Sequence, residues 1–189
     1  VSFGAFVLTY RRPEGLRQSL DFLLGQTRRP DRIWVIDNAD DPVAKEITAG
    51  YALEGVRYHA TGRNLGSAGG VPTGLEPLVA AGCDWVLSID DGDVPTWPES
   101  SLTVERLVAL IERQDHGDLG VVGAIGSRFD WRTGEHVRIP DEELNGDLAV
   151  DIVGGGSFFT VSRRLIEQIG PPNKEFFFGH YDPLYCLEA

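Results

Sequence analysis

The stretch Trp85-Val86-Leu87-Ser88-Ile89-Asp90-Asp91-Gly92-Asp93 decides the fold class of this chain. Five mostly apolar residues predict a buried strand, and three aspartates follow them within four positions. In open α/β sheets, ligands bind beyond the carboxyl ends of the strands. The stretch therefore predicts an α/β protein whose chemistry is centred on residues 90–93.

Apolar runs elsewhere predict further strands at residues 3–8, 33–36 and 56–59, and a strand-like segment at 119–125. Helical patterns follow the strands at 3–8, 56–59 and 85–89, an alternation that suits βαβ units with parallel pairing. The sequence contains no internal repeat and no interdomain linker. We predict one α/β domain over residues 1–189, with a mixed, mainly parallel sheet flanked by helices.

Three helices are predicted between these strands. Leucines at helical spacing follow Pro13, and a helix over 71–81 carries Pro72 near its first turn. An apolar stripe from Val104 to Ile111 predicts the third helix, with Ser101 as its N-cap.

Composition excludes several classes of protein. Apolar residues make up 42% and charged residues 24% of the chain, which is ordinary for a globular domain. The net charge of −12 argues against nucleic acid as a partner, because phosphate backbones bind basic patches.

No apolar run reaches the roughly 20 residues of a membrane-spanning helix. Residues 1–8 lack a basic n-region and predict a strand rather than a signal peptide. Cys83 and Cys186 are too few for a disulfide framework, so we expect a reducing, cytoplasmic compartment.

Polar residues follow each of the four strands that alternate with helices. Thr9 follows the first, Asp37 the second, Arg63 and Asn64 the third, and the acidic run the fourth. Because the carboxyl ends of parallel strands meet at one edge of a sheet, we expect these side chains to converge. Convergence from four strands supports a binding site more strongly than any single motif.

The acidic run at 90–93 suits a divalent cation. Carboxylates would repel a nucleoside diphosphate unless a hard cation such as Mg²⁺ or Mn²⁺ lay between them. Such a cation also stabilises a diphosphate as it leaves. A solvated turn is the alternative, because Asp and Gly are turn residues.

Two other segments near the strand ends allow both a functional and a structural interpretation. The glycine-rich segment 64–70 precedes a helix, where free N–H groups favour anions. Tight packing of a strand on a helix explains the same glycines equally well. Asp37 could accept hydrogen bonds from a base or ribose, or it could stabilise its own turn.

Asp182, which a proline follows, also has two interpretations. Asp-Pro is a good N-cap and first-turn pair, whereas a carboxylate here could be the general base that deprotonates an acceptor hydroxyl. The preceding phenylalanines 176–178 would supply an apolar setting, and His180 is a second candidate base. Trp97 and Trp131 could stack on a sugar ring, although packing is the commoner role of tryptophan.

Together these residues resemble glycosyltransferase family 2 enzymes of the GT-A fold, especially a bacterial rhamnosyl- and galactofuranosyltransferase-like branch. The resemblance extends over nearly the whole chain. It depends on segments whose order and spacing are specific together, at residues 7–13, 35–38, 63–70, 85–91, 153–156 and 177–187.

The resemblance implies a Rossmann-like GT-A domain that binds a nucleotide-sugar donor. The implied donor-binding residues are Thr9, Arg12, Asp37, Arg63, Asn64, Gly69, Asp90 and Asp91. It also implies a divalent cation, Mn²⁺ or Mg²⁺, with Asp91 and Asp93 as ligands.

The same resemblance implies the catalytic and acceptor residues. Asp182 matches the carboxylate that acts as base in inverting members. Gly155, Gly156 and His180 would line the acceptor side. The implied acceptor is a glycan, a lipid-linked molecule or a small molecule, as in polysaccharide biosynthesis.

The sequence departs from the family pattern at several positions. Gly92 stands where the second aspartate of the D-x-D motif falls, and Tyr181 and Leu184 stand where acids are expected. Family members also continue beyond the position of Ala189, so we expect a domain without its C-terminal elements.

The sequence thus predicts metal-dependent, inverting transfer of a sugar from a UDP- or dTDP-sugar to a hydroxyl. The departures favour an alternative, a catalytically poor nucleotide-sugar-binding module. A nucleotidyltransferase is a third hypothesis, which release of pyrophosphate would identify. We expect a cytoplasmic location, either free or peripheral at the inner face of the membrane. Oligomeric state is not indicated.

Overall fold

The computed structural model describes residues 1–96, 98–113, 119–154 and 158–189. The strands in these ranges are β1 (Phe3–Thr9), β2 (Arg32–Asp37), β3 (Arg57–Ala60), β4 (Trp85–Asp90), β5 (Val121–Val122), β6 (Gly126–Asp130), β7 (Glu135–Arg138), β8 (Ile152–Val153) and β9 (Phe159–Ser162). The α-helices are α1 (Pro13–Leu24), α2 (Pro42–Gly50), α3 (Gly66–Ala80), α4 (Thr103–Arg113), α5 (Arg163–Ile169) and α6 (Tyr181–Glu188).

The main sheet has the order β3-β2-β1-β4-β9-β5. Its first four strands pair in parallel, whereas β9 runs antiparallel to both β4 and β5. The register aligns Thr9 with Asp37, and Leu8 with Asp90. The ends of these strands therefore share one edge of the sheet, and the predicted mixed, mainly parallel α/β fold is confirmed.

Helices cover both faces of the main sheet. On one face, α1, α2 and α4 bury apolar side chains that include Leu16, Leu20 and Ile47. On the other face, α3, α5 and α6 bury a second cluster that includes Val71 and Leu75. Burial of each large apolar side chain contributes about 1.5–3 kcal/mol, so both helical layers are fixed against the strands.

Helix α3 begins at Gly66, five residues before the predicted start, and Pro72 lies inside it. The predicted position of Pro72 in the first turn is therefore wrong. The first turn is held by contacts from the loop after β2, since the Asn38 side-chain amide accepts from Leu65 N–H at 2.9 Å and donates to the Gly66 carbonyl at 2.9 Å. A single-sequence pattern does not reveal a partner 27 residues away.

The start of α4 also differs from the prediction. Ser101 lies in a short 3₁₀ turn, Ser100–Leu102, and is not the N-cap. Instead, the Gln26 side chain accepts from Val104 N–H at 3.1 Å, so a distant residue caps the helix. The strand expected over 119–125 is confined to Val121–Val122. The sequence patterns did not predict α2 or α5.

A smaller antiparallel sheet has the order β7-β6-β8. The hairpin between β6 and β7 turns at residues 131–134, and Trp131 at its tip is 73% exposed. Within the described ranges, none of the helices is both long and apolar enough to cross a membrane.

Candidate active site

The carboxylate of Asp91 joins the end of β4 to the end of β1. It accepts hydrogen bonds from Thr9 Oγ1 at 2.8 Å and from Tyr10 N–H at 3.1 Å, and it forms an ion pair with Arg12 at 3.2 Å. Asp91 and Thr9 are both buried, whereas Arg12 is exposed. Burial raises the pKa of Asp91, against the hydrogen bonds of Thr9 and Tyr10 and the positive charge of Arg12. Asp91 thus fixes the path of the acidic run.

We expect Asp91→Ala to destabilise the fold by about 2–3 kcal/mol, because the buried Thr9 hydroxyl and the partly buried Tyr10 N–H would lose their acceptor. Urea unfolding followed by circular dichroism measures this change. The control is Asp21→Ala on α1, whose exposed carboxylate accepts from the Tyr51 hydroxyl at 2.8 Å. That loss should be no more than about 1 kcal/mol. Equal losses in both variants would contradict the structural role of Asp91.

Ser19 of α1 forms hydrogen bonds with the backbone of the acidic run, a contact that the sequence pattern did not predict. Its hydroxyl donates to the Asp90 carbonyl at 3.2 Å and accepts from Gly92 N–H at 3.1 Å. Gly15, one turn earlier, leaves no room for a side chain, because an added Cβ would lie 3.0 Å from the Asp91 carbonyl. The leucine spacing that predicts α1 does not report which polar residue faces inward.

We expect Ser19→Ala to cost about 1–2 kcal/mol, since the Gly92 N–H would lose its acceptor in a buried setting. Ser101→Ala is a matched control, because Ser101 is exposed and surface substitutions usually change stability by less than about 0.5 kcal/mol. Midpoints of chemical unfolding compare the two variants. An unchanged midpoint for Ser19→Ala would show that this bridge does not stabilise the run.

Gly92 is required by the backbone of this run. Its φ is +91°, in the region that favours glycine, and an added Cβ would lie 3.2 Å from an Arg12 guanidinium nitrogen. An aspartate at this position would therefore be strained. The next acidic side chain, Asp93, is exposed.

Asp90 lies in an electrostatically unfavourable position. Burial raises the pKa of its carboxyl to about 6, and the negative charges of Asp93 and Asp91 raise it further. The positive charge of Arg12 opposes them, and the charge of Asp182 adds the smallest increase. At neutral pH, the ionised Asp90 is thus surrounded by carboxylates. A bound cation would relieve this repulsion.

Asp182 lies near the opposite end of the chain, on a helix that packs against β9, the neighbour of β4 in the sheet. It is the second residue of α6, half-buried, and its charge acts on Asp90, 92 positions earlier. The N-cap position belongs to His180, so the interpretation of Asp182 as a helix N-cap is wrong. Tyr181 is buried, and burial together with the charges of Asp90 and Asp182 raises its pKa. The ring of Tyr181 packs edge-on against Phe159, whereas His180 is exposed.

Asp37 stabilises its own loop. Its fully buried carboxylate accepts from the N–H groups of Ala39 at 3.0 Å, Asp40 at 3.2 Å and Asp41 at 2.6 Å, and from the Tyr58 hydroxyl at 2.6 Å. Of the two interpretations of Asp37, the turn-stabilising one has direct geometric support. Tyr58 was missed, because nothing in its sequence context indicates a partner 21 residues away.

An open cleft of about 490 Å³ lies at the edge of the sheet where β1, β2 and β3 end. Its lining residues are Tyr10, Arg11, Ala39, Asp40, Asp41, Pro42, Gly62, Arg63 and Asn64. The predicted donor-binding residues Arg63 and Asn64 are thus exposed in one cleft. This cleft adjoins the acidic run at Tyr10, whose N–H donates to Asp91. The loop built on Asp37 forms another wall.

The glycine-rich segment does not present a free helix N-terminus. The Gly66 N–H donates to the Asn64 side chain at 2.8 Å, and the Ala68 N–H donates to the Phe177 carbonyl at 3.1 Å. A Cβ on Gly66 would overlap this carbonyl, and Gly69 is buried against Leu65. The anion-binding interpretation is therefore not supported for these N–H groups, and close packing explains the glycines.

Several predicted residues cannot be assigned a place. Gly155 and Gly156, expected on the acceptor side, lie outside the described residues, as does Trp97.

The resemblance implies a divalent cation, for which the acidic residues at the end of β4 are the candidate ligands. In the part of the chain that the structure describes, no three His, Cys, Asp or Glu side chains are arranged to hold a metal ion. The carboxylate of Asp91 already accepts two hydrogen bonds and forms an ion pair with Arg12. Asp90 and Asp93 fit better, since their charges repel each other and Mg²⁺ is often held by one or two carboxylates together with substrate phosphates.

The sheet order, the cleft and the acidic run at its edge together define a GT-A type domain. Residues 5–170 match the family described as Glycosyl transferase family 2. The chain belongs to this family.

Curated relatives agree with this assignment. Galactofuranosyltransferase GlfT1 of Mycobacterium tuberculosis is 47% identical over 95 residues, which cover 48% of this chain and 31% of the relative. The protein of the same name from Mycolicibacterium smegmatis is 41% identical over 91 residues, covering 48% and 30%. The match thus spans about a third of the relatives' length. The predicted resemblance to a bacterial galactofuranosyltransferase-like branch is confirmed.

Solved structures share the fold. S. aureus TarS residues 1–349 superimpose with a TM-score of 0.66 at 17% identity, covering 98% of this chain and 54% of that one. The mannosyltransferase PcManGT from Pyrobaculum calidifontis, in complex with GDP-Man and Mn²⁺, gives 0.67 at 17% identity, covering 97% and 50%. These likenesses confirm the GT-A fold.

Proposed function

We propose that this domain transfers a galactofuranosyl or closely related sugar from a UDP-sugar to a hydroxyl of a glycan acceptor, with inversion at the anomeric carbon. The names of the curated relatives support the sugar. A neighbour of the same fold is solved with UDP-GlcNAc, which supports a uridine donor. Because the match covers only part of the relatives, the activity of the whole protein is part of this proposal.

The observation that carries the proposal is the position of Asp182 beside β4. The neighbouring Tyr181 packs against Phe159, which pairs with Ser88 two residues before Asp90, and the charge of Asp182 is the last of the causes that raise the pKa of Asp90. A site for sugar transfer needs a base on the acceptor side and charge stabilisation on the side of the leaving diphosphate. The neighbouring carboxylates at the ends of β4 and at the start of α6 fit this requirement.

Asp182 accepts the proton of the acceptor hydroxyl in the proposed reaction. The hydroxyl oxygen attacks the anomeric carbon as the bond from that carbon to the diphosphate oxygen breaks, so the configuration inverts. The products are the glycosylated acceptor and the nucleoside diphosphate.

The donor side is assigned to the cleft and the acidic run. Arg63 and Asn64, exposed in the cleft, contact the nucleoside, and Arg12 lies beside the acidic run, where its positive charge can meet phosphate. Asp90 and Asp93 would hold Mn²⁺ or Mg²⁺, which when bound stabilises negative charge on the diphosphate. Asp91 and Thr9 position this run rather than contacting the donor directly.

The test incubates the purified chain with UDP-galactofuranose and methyl β-D-galactofuranoside, with Mn²⁺ or with EDTA. We expect release of UDP together with a disaccharide product in the presence of Mn²⁺, and loss of both in EDTA. NMR of the product reports whether the configuration inverted. Retention of configuration, or full activity in EDTA, would overturn the corresponding part of the proposal.

A nucleotide-sugar-binding module with poor catalysis is the second candidate. Leu184 favours it, since this half-buried position of α6 carries no carboxylate beside Asp182. Calorimetry with UDP and Mn²⁺ separates the candidates when it is paired with the transfer assay. Binding without turnover would support the module, and release of pyrophosphate would instead identify a nucleotidyltransferase.

The location and acceptor complete the proposal. The free thiols Cys83 and Cys186 fit a reducing, cytoplasmic compartment. We propose a cell-envelope polysaccharide as the acceptor, reached at the inner face of the membrane.

A further inference from the structure

Three consecutive phenylalanines are exposed immediately before α6. Phe176 is 43% exposed, Phe177 53% and Phe178 77%. Exposed apolar side chains that are contiguous mark interaction sites more often than scattered ones do. Neither donor binding nor proton transfer, as proposed above, requires these three rings.

The backbone that carries the phenylalanines is strained and anchored. Phe177 and His180 have φ values of 58° and 57°, which residues other than glycine rarely adopt. The Phe178 N–H donates to the Phe176 carbonyl at 2.6 Å and closes a tight turn. The Phe177 carbonyl accepts from Ala68 N–H at 3.1 Å, which fixes the turn to the start of α3. Strain of this kind persists where the surroundings impose it, and it clusters at ligand sites.

The turn lies beside the proposed base. Phe178 precedes Asp182 by four residues, so their Cα atoms are at most about 14 Å apart. A sugar whose hydroxyl reaches Asp182 would extend its ring, or the next ring of the glycan, within reach of Phe178. The anchored turn therefore offers an aromatic surface on the acceptor side of the site.

We propose that Phe176–Phe178 form the acceptor platform, with the ring of Phe178 stacking on the apolar C–H face of an acceptor sugar. This inference rests on the proposed function and names the subsite that holds the acceptor. Aromatic rings offer a flat face to a sugar ring. The exposed residues of the turn are aromatic rather than aliphatic, which favours a ring-shaped occupant.

A membrane surface is the less fitting occupant. Anionic lipids attract basic segments, whereas this chain has a net charge of −12 and the turn lies four residues before Asp182. The flanking residues include Glu175 and a single lysine, Lys174, which do not make a basic patch.

The test compares acceptor kinetics of Phe178→Ala, Phe178→Tyr and Phe178→Leu, with methyl β-D-galactofuranoside as acceptor. We expect Phe178→Ala to raise the acceptor KM about tenfold, which equals about 1.4 kcal/mol, with donor KM and UDP affinity unchanged. Phe178→Tyr should keep the wild-type value, and Phe178→Leu should not. Trp131→Ala is the control, because Trp131 is an equally exposed aromatic residue on the smaller sheet.

Several outcomes would overturn the platform. These are an unchanged acceptor KM in Phe178→Ala, full activity in Phe178→Leu, or a rise in KM for Trp131→Ala alone. If the wild-type chain transfers no sugar, the proposed function fails, but saturation-transfer NMR with the same glycoside still tests the platform. Contact with the wild type that is lost in Phe178→Ala supports it, and no contact with the wild type contradicts it.

Discussion

Asp182→Asn is expected to lower the rate of sugar transfer by about 10²- to 10⁴-fold, the range of a lost general base. Asparagine has nearly the same shape as aspartate but does not accept a proton at neutral pH. The donor KM and the affinity for UDP should change little, because the donor side is assigned to the cleft at the ends of β1, β2 and β3. The measurement is turnover of UDP-galactofuranose at saturating acceptor, together with calorimetry for UDP.

The control for this variant is Glu188→Gln, an equally conservative change at the exposed end of the same helix. It should keep wild-type turnover. Retained turnover in Asp182→Asn would remove Asp182 as the base, and the exposed His180 would then be tested by His180→Gln. A loss of UDP affinity in Asp182→Asn would point to a role on the donor side instead.

Asp37→Ala is expected to destabilise the fold by about 3 kcal/mol or more. The substitution leaves three backbone N–H groups and the Tyr58 hydroxyl without their acceptor at a fully buried position. Each unsatisfied buried donor costs about 1–3 kcal/mol, although rearrangement and water recover part of the sum. Urea unfolding measures the change, and the cleft wall at residues 39–42 should loosen with it.

Tyr58→Phe is the matched variant, because it removes one of the four donors and leaves the carboxylate in place. We expect a loss of about 1 kcal/mol. If Asp37→Ala and Tyr58→Phe cost the same, the backbone bonds of Asp37 contribute nothing, and a direct role in nucleoside binding becomes the better explanation.

The pattern of the sequence predicted which strands end in polar residues, but not the role of each residue. An apolar run that ends in polar residues is a local pattern of the sequence. The ends of β1, β2 and β4 were therefore predicted correctly. The polar side chains at those strand ends can accept hydrogen bonds from the same few N–H and hydroxyl groups. Asp91 was expected to bind metal, yet its oxygens accept from Thr9 and Tyr10. The pairing register of the strands determines which of these hydrogen bonds form, and that register depends on contacts between distant parts of the chain.

The starts of helices also depend on contacts that are distant in the sequence. The starts of α3 and α4 were misplaced because Asn38 and Gln26, far away in the chain, satisfy their first N–H and carbonyl groups. The residues near a helix start predict its position only when the cap is local. The short helix α5, with seven residues, contains too few turns for a periodic signal.

By itself, the sequence determined the α/β class, the family resemblance and the position of Asp90-Asp91-Gly92-Asp93 at a strand end. These follow from residue order, because burial imposes a period on a strand or helix that a single chain displays. Only the tertiary structure decided that the helix carrying Asp182 packs against β9 beside β4, that Ser19 supports the acidic run, and that Gly92 needs its positive φ. Hydrogen bonding and side-chain packing act over a few ångströms, and folding alone determines which distant residues come that close.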